Sequence, residues 1–324
     1  MQRVILLLAA ILGLGAVFLT VVPAHATFPG TNGRIAYSLD TGSGAQIYTI
    51  KHDGTGRRQL THVDGDAISP DWSPNGRKIV FEVDHPNETG CSIEIMNADG
   101  SNIRDLTGNR KGCEMTPAFT PNGRRIVFTH DCDQCAVVLK SMNLQGKDRR
   151  LILRARTLYK KEPQVSPDGK RVLFLVEKVL PNLHLGYEEN VKALYSVRMN
   201  GTDLKTVVPF DFDVCACGGD WAPNGKRIAF SNNAGAADEP QTLPTNLATI
   251  RPDGTGLRFL THYKGINVYV SSGSYSPDGR WILFKTIRDD KYKLWKIHPN
   301  GTHKTLIARF KFNPSGRDWG PRPK

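Results

Sequence analysis

The chain has 324 residues, 39% hydrophobic and 23% charged, with 31 glycines, 20 prolines and a formal net charge of +12. That composition belongs to a folded chain and excludes a disordered or low-complexity one. The basic excess fits an acidic partner without naming it, since charge speaks to association and not to fold.

In chain order the first element is a leader. Arg3 precedes an apolar run from Val4 to Val22, which stops at Pro23 and is followed by Ala24-His25-Ala26. A basic start, an apolar stretch and a small-x-small site read as a secretory signal peptide cut after Ala26. The competing reading is a retained membrane anchor, because the run approaches spanning length. No cysteine sits at the cut, which argues against a lipid anchor, and no later segment is apolar enough to span a bilayer. The expected division is therefore residues 1–26 as signal peptide and 27–324 as one domain, secreted or periplasmic. Six cysteines in an exported chain favour disulfides over free thiols.

The rest of the chain repeats. "DWSPNGRKIVF" from Asp71 returns as "AFTPNGRRIVF" from Ala118, "QVSPDGKRVLF" from Gln164, "DWAPNGKRIAF" from Asp220 and "SYSPDGRWILF" from Ser274. Between these lie six copies of a second pattern, such as "SIEIMNADGSNIRDLTG" from Ser92 and "NLATIRPDGTGLRFLTH" from Asn246. A recurrence near 50 residues signals a solenoid or a propeller. Each unit reads as four short antiparallel strands. An aromatic or apolar residue sits on strand A, Pro ends that strand, and Asn-Gly or Asp-Gly turns the chain. A nearly continuous apolar strand B follows, as a sheet covered on both faces requires. Strands C and D follow, joined by a second Gly turn. The missing sixth copy is split between "NGRIAY" (Asn32 to Tyr37) and "DWGP" (Asp318 to Pro321). A ring joins the halves. The expected fold is all-β, a six-bladed β-propeller whose C-terminal strand pairs into the N-terminal blade.

These W-S-P-D/N-G-x-x-I-x-F and D-G units resemble the WD40-like repeats of the TolB family of propellers, over roughly residues 28 to 321. TolB proper carries a separate α/β domain ahead of its propeller, used in the Tol–Pal envelope system. Here the leader runs almost straight into the first blade. The resemblance thus implies the fold and export rather than that role.

Strand alternation puts the A–B and C–D turns on one face and the B–C and D–A connections on the other. The turn face collects basic residues, among them Arg34, Arg77, Arg125, Arg171, Arg227 and Arg258. They read as solvated turn residues, with electrostatic binding of an anionic polymer, such as an anionic glycan, as the alternative. Nucleic acid is not favoured, because no aromatic residues are interleaved with them.

The loop face holds every cysteine: Cys91, Cys113, Cys132, Cys135, Cys215 and Cys217. The best long-range pair is Cys91 with Cys113, which leaves Cys132–Cys135 as a local bridge and Cys215–Cys217 as a strained remainder. The alternative is a zinc site that uses "HDCDQC" (His130 to Cys135), given the Cys and His preference of that ion. Asp238-Glu239 and Asp289-Asp290 are acid pairs that Ca²⁺ would accept. The expected cofactor set is nonetheless empty. Blades 4 and 5 carry longer connections, including Glu177 to Lys192 and Asn232 to Asn246. His184, Tyr187, Phe212, Tyr263 and Tyr269 are the expected binding residues there.

The chain carries no nucleophile elbow, zinc-protease motif, P-loop or dinucleotide fingerprint. The resulting expectation is a secreted, monomeric, non-enzymatic scaffold that binds a protein or cell-envelope polymer through its loop face. The alternative is a metal-dependent hydrolase or lyase in the loop-face funnel.

Overall fold

A computed structural model describes residues 29–85, 90–108, 112–131, 137–154, 159–182, 187–210, 216–232, 245–264 and 268–323. The expected leader, residues 1–26, lies outside them.

Six four-stranded antiparallel sheets follow one another along the chain. Blade 1 contains β1 (Asn32–Asp40), β2 (Ala45–Lys51) and β3 (Arg58–Gln59). Blade 2 is β4 (Asp66–Trp72), β5 (Lys78–Asp84), β6 (Cys91–Asn97) and β7 (Arg104–Asp105). Blade 3 is β8 (Cys113–Phe119), β9 (Arg125–Asp131), β10 (Val138–Asn143) and β11 (Arg150–Arg154). Blade 4 is β12 (Tyr159–Val165), β13 (Arg171–Asn182), β14 (Tyr187–Arg198) and β15 (Lys205–Val208). Blade 5 is β16 (Ala216–Trp221), β17 (Ile228–Asn232), β18 (Asn246–Ile250) and β19 (Arg258–Phe259). Blade 6 is β20 (Tyr269–Tyr275), β21 (Ile282–Arg288), β22 (Lys291–Ile297) and β23 (Thr305–Phe310). The last strand, β24 (Pro314–Pro321), returns to blade 1 and pairs with β1, Ile35 opposite Trp319 and Ala36 opposite Asp318. The six A strands touch one another in a closed cycle, β24 to β4, β8, β12, β16, β20 and back. The chain is an all-β, six-bladed propeller.

Local chemistry makes each blade. The A–B hairpin spans four loop residues, Pro74 to Arg77 in blade 2, and of these only Gly76 is left-handed. It is therefore wider than the two-residue turn that Asn-Gly suggests, and the Ser73 hydroxyl closes it by accepting from Lys78 N at 2.9 Å. Thr120, Ser166 and Ser276 do the same in their blades. The "LT" that ends strand D also has a mechanism. Thr61, Thr107 and Thr261 use their hydroxyls to accept the strand C amides of Ile47, Ile93 and Leu247 at 2.8–2.9 Å, which extends very short D strands by one bond.

The blades are held together by apolar contact. One aromatic from each strand B (Tyr37, Phe81, Phe128, Phe174, Phe230 and Phe284) is wholly buried, and each of six core clusters spans two adjacent blades. Burying such a ring contributes roughly 2–3 kcal/mol. The C–D turn glycines allow the blades to approach this closely. A methyl on Gly146 would collide with the carbonyl oxygen of Leu106 in the preceding blade, and φ there is 74°.

The structure corrects one element. Glu177 to Lys192 was expected as an enlarged loop, but β13 and β14 continue through it as a ladder from Glu177 opposite Lys192 to Asn182 opposite Tyr187. Among the described residues β12 pairs with β13 as far as Glu177, and Pro181 stands beyond that point, opposite Glu188 of β14.

Candidate functional site

The six A strands enclose a cavity of about 480 Å³ in the loop-face half of the central channel. Its floor carries three aspartates. Asp318, Asp71 and Asp220 each accept the strand A amide of the next blade, from Trp72 at 2.8 Å, Phe119 at 2.8 Å and Tyr275 at 2.6 Å. Ser274 makes the corresponding bond from blade 6, accepting from Trp319 N at 2.6 Å. These carboxyls are buried together. Burial, with Asp318 nearby, pushes Asp71 well up, and burial raises Asp318 to about 6.

Above the floor every A strand is irregular. Two residues bulge between the paired ones, as between Ile68 and Asp71 or Met115 and Ala118. The first bulged residue is left-handed in five blades: Ser69 at 52°, Thr116 at 49°, Glu162 at 53°, Gly218 at 64° and Gly316 at 45°. Left-handed geometry at a β-branched residue is uncommon and costs about 1–3 kcal/mol, so the surroundings must enforce it. At Thr116 they do. Its amide donates to Glu82 Oε2 of blade 2 at 2.9 Å, and its hydroxyl donates to Thr129 at 3.2 Å. Burial holds the Glu82 carboxyl up at about 7.

The cavity wall is charged and differs from blade to blade. Blade 4 supplies Lys161, Glu162, Glu177 and Lys192. Glu177 accepts from both lysines, at 3.0 and 3.5 Å. Glu162 lies deep in the ring yet exposes its surface to the cavity, and burial raises its pKa against the pull of Lys192 and Arg317. Lys285 of β21 and Arg317 of β24 form the wall between blades 6 and 1. Lys285 Nζ donates to Asn313 Oδ1 at 2.5 Å and to the Pro314 carbonyl at 3.0 Å. Arg317 donates to that same carbonyl at 3.1 Å and to Ser271 Oγ at 2.8 Å.

Of the expected binding residues, the structure brings Tyr269 to this wall. Tyr263 is elsewhere. It packs between blades 5 and 6, where its hydroxyl accepts from Lys304 at 3.2 Å. The Tyr187 backbone heads β14. His184 and Phe212 lie outside the described residues.

Cys91 and Cys113 form a disulfide that joins the start of β6 to the start of β8, with Cα atoms 4.3 Å apart. Cys132, Cys135 and Cys215 are outside the described residues, while the backbone of Cys217 lies in β16. Among the described residues one group of side chains has metal-ligand spacing, Glu82 with Cys91 and Cys113, and the disulfide occupies both sulfurs. Asp289 and Asp290 form the two-residue β21–β22 turn, both left-handed at 49° and 53°. Turn geometry accounts for that pair, since Asp tolerates the left-handed region. Asp238-Glu239 is outside the described residues.

Lys285, Arg317 and Glu162 did not emerge from the sequence. A signal exists: the residue after the strand B aromatic reads Ser38, Glu82, Thr129, Leu175, Ser231 and Lys285 around the ring, and Leu175 and Lys285 line the cavity. A position that varies in charge while its neighbours repeat is where a scaffold carries something of its own.

Residues 18–185 match the model of the TolB beta propeller domain. The chain belongs to this family. A relative in Agrobacterium fabrum, itself uncharacterized, is 23% identical over 216 residues, covering 57% of this chain and 69% of that one. Among solved structures, TolB from Acinetobacter baumannii superposes with a TM-score of 0.69 at 17% identity, over 90% of this chain and 67% of that one. A chain of the nidogen/laminin complex gives 0.63 at 11% identity, over 88% and 97%. At these identities the likeness shows the fold, and the same fold serves binders and enzymes alike.

Proposed function

We propose that this protein is an exported scaffold that binds a polar segment of another protein, or of a cell-envelope polymer, in the loop-face half of its channel, and that it does not transform what it binds. The observation that carries this reading is the cavity of about 480 Å³ walled by the A strands of all six blades. That volume falls within the range of ligand pockets, which are largely pre-formed. Its charged groups are already fixed, Glu177 between two lysines and Lys285 with Arg317 on one carbonyl. Fixed groups hold a ligand without paying to order side chains. The disulfide between Cys91 and Cys113 fits export.

The test is site-specific photo-crosslinking in the producing cell, with the reactive residue placed at Tyr269 in the cavity or at Arg258 on the turn face. A discrete adduct from position 269 and none from 258 is the expected result. Equal adducts from both positions would contradict the proposal. So would release of a product from an envelope polymer by the purified protein, which would favour the metal-dependent hydrolase or lyase.

A further inference from the structure

The Cys91–Cys113 disulfide has a buried carboxylate beside it. Glu82 of β5 brings an oxygen within 4.8 Å of both sulfurs, so blade 2 supplies two of the three groups and blade 3 the third. The frame that holds them does not depend on the S–S bond. Cys91 is fixed opposite Asp84 in the β5–β6 ladder, and Cys113 opposite Asp131 in the β8–β9 ladder. The Thr116 amide of β8 donates to Glu82 Oε2 at 2.9 Å, which ties the carboxylate to the strand that carries Cys113. Strands β6 and β8 also pack against each other across the seam. Opening the disulfide therefore leaves two thiols and a carboxylate facing one another.

We propose that reduced Cys91 and Cys113, together with Glu82, form a zinc-class metal site that links blades 2 and 3 when the disulfide is open. A dithiol reductant gives two electrons and two protons to the sulfurs and leaves as its own disulfide. Zn²⁺ then releases both thiol protons to solvent, and two Zn–S bonds and one Zn–O bond take the place of the S–S bond. Tetrahedral zinc sets such ligand atoms roughly 3.5–3.8 Å apart, inside the 4.8 Å spread of these three groups. Two thiolates select a soft or borderline ion, Zn²⁺ or Cu⁺ over Ca²⁺ or Mg²⁺. Three protein ligands leave one position for water, as in open zinc sites. The seam between blades 2 and 3 thus keeps a covalent or a coordinate link in either redox state.

The test reduces the full chain with a water-soluble phosphine, removes the phosphine without air, and titrates with Co²⁺, whose thiolate charge-transfer band reports sulfur ligation. Cys132, Cys135, Cys215 and Cys217 also become thiols, so the signal that counts is the difference between wild type and the double variant Cys91→Ser with Cys113→Ser. The expected difference is one equivalent of Co²⁺ and its band. Glu82→Gln keeps an oxygen acceptor for the Thr116 amide. It is expected to weaken this equivalent by more than about tenfold, since losing a ligand costs at least as much as losing an outer-shell partner. Equal bands in wild type and the double variant overturn the site, and so does equal affinity in wild type and Glu82→Gln. Melting followed by circular dichroism is a second readout. Zn²⁺ is expected to raise the melting temperature of reduced wild type by several degrees and to leave the oxidised protein and the reduced double variant unchanged, and Ca²⁺ to change none of them. No rise in reduced wild type, or an equal rise in the double variant, overturns the site even if reduction loosens the fold.

Discussion

The turn face and the channel carry similar residues and use them in opposite ways. On the turn face Arg34, Arg125, Arg171 and Arg227 occupy one position of the repeat and perform one task. Each guanidinium reaches across strand C and binds the C–D turn: Arg171 takes Ser196 O at 3.1 Å, Asp203 O at 2.6 Å and Asp203 Oδ2 at 2.7 Å. Arg125 repeats this with Ser141 and Asp148, and Arg34 and Arg227 repeat it on Thr49 with Gly56 and Thr249 with Gly256. Much of what reads as a basic disc is thus consumed in joining strands B, C and D. In the channel, by contrast, Glu162, Lys285 and Arg317 have no counterparts in the other blades. Where charge recurs with the repeat it builds the repeat, and where it breaks the repeat it is available for function.

The largest expected effect comes from the ring itself. Deleting residues 314–324 removes β24, exposes an edge of β1 and takes the buried Trp319 ring out of the cluster between blades 6 and 1. Loss of the cooperative thermal transition is expected, followed by circular dichroism; an unchanged melting temperature would contradict ring closure. Next is the disulfide. Cys91→Ala with Cys113→Ala releases a loop of sequence separation 22 and costs about 3 kcal/mol in the chain-entropy account, read from denaturant melts.

Two further variants bear on the comparison of the faces. Arg171→Ala loses three bonds of a charged donor and is expected to cost about 2 kcal/mol, whereas Arg258→Ala on the same face stays within about 0.5 kcal/mol. Equal effects would erase the distinction between building charges and solvated ones. In the channel the sign of a pH effect is diagnostic. Lys285 has its folded pKa depressed to about 6, so the unfolded chain binds a proton that the native state does not. Its contribution is present above the ordinary lysine pKa and is lost as pH falls toward 6. The stability difference between wild type and Lys285→Met should therefore grow in favour of wild type by up to about 1.4 kcal/mol per pH unit between roughly 6 and 10. Taking the difference cancels Glu82 and Asp318, whose raised pKa values act in the opposite direction. A flat difference would mean that Lys285 stays protonated in the fold.

What the sequence revealed follows the same division. Recurrence exposed the blades, the split motif exposed the closure of β24 on β1, and loop positions suggested that Cys91 and Cys113 meet. Each of these depends on features that repeat or on pairs brought together by the repeat. The channel is built from single positions inside strands, such as Glu162 in "KEPQV" and Arg317 in "SGRDW". A search for constant residues passes over them, and a search for aromatics in long loops led to Tyr263, which the blade 5–6 seam uses for packing. The hairpin of β13 and β14 reads as a loop because its length exceeds the repeat, although the ladder simply continues through it from Glu177 opposite Lys192 to Asn182 opposite Tyr187.

The measurement that most directly tests whether charge acts in the channel and not on the turn face is a side-chain NMR titration of ¹³C-lysine protein with succinate as a small anionic probe. Lys285 and Lys192 report on the cavity, and Lys170 and Lys226 on the turns. The account predicts saturable shifts at the cavity lysines, while the turn lysines drift only with ionic strength. Saturable shifts confined to Lys170 and Lys226 would contradict it and return the basic turn face to the centre of the protein's function.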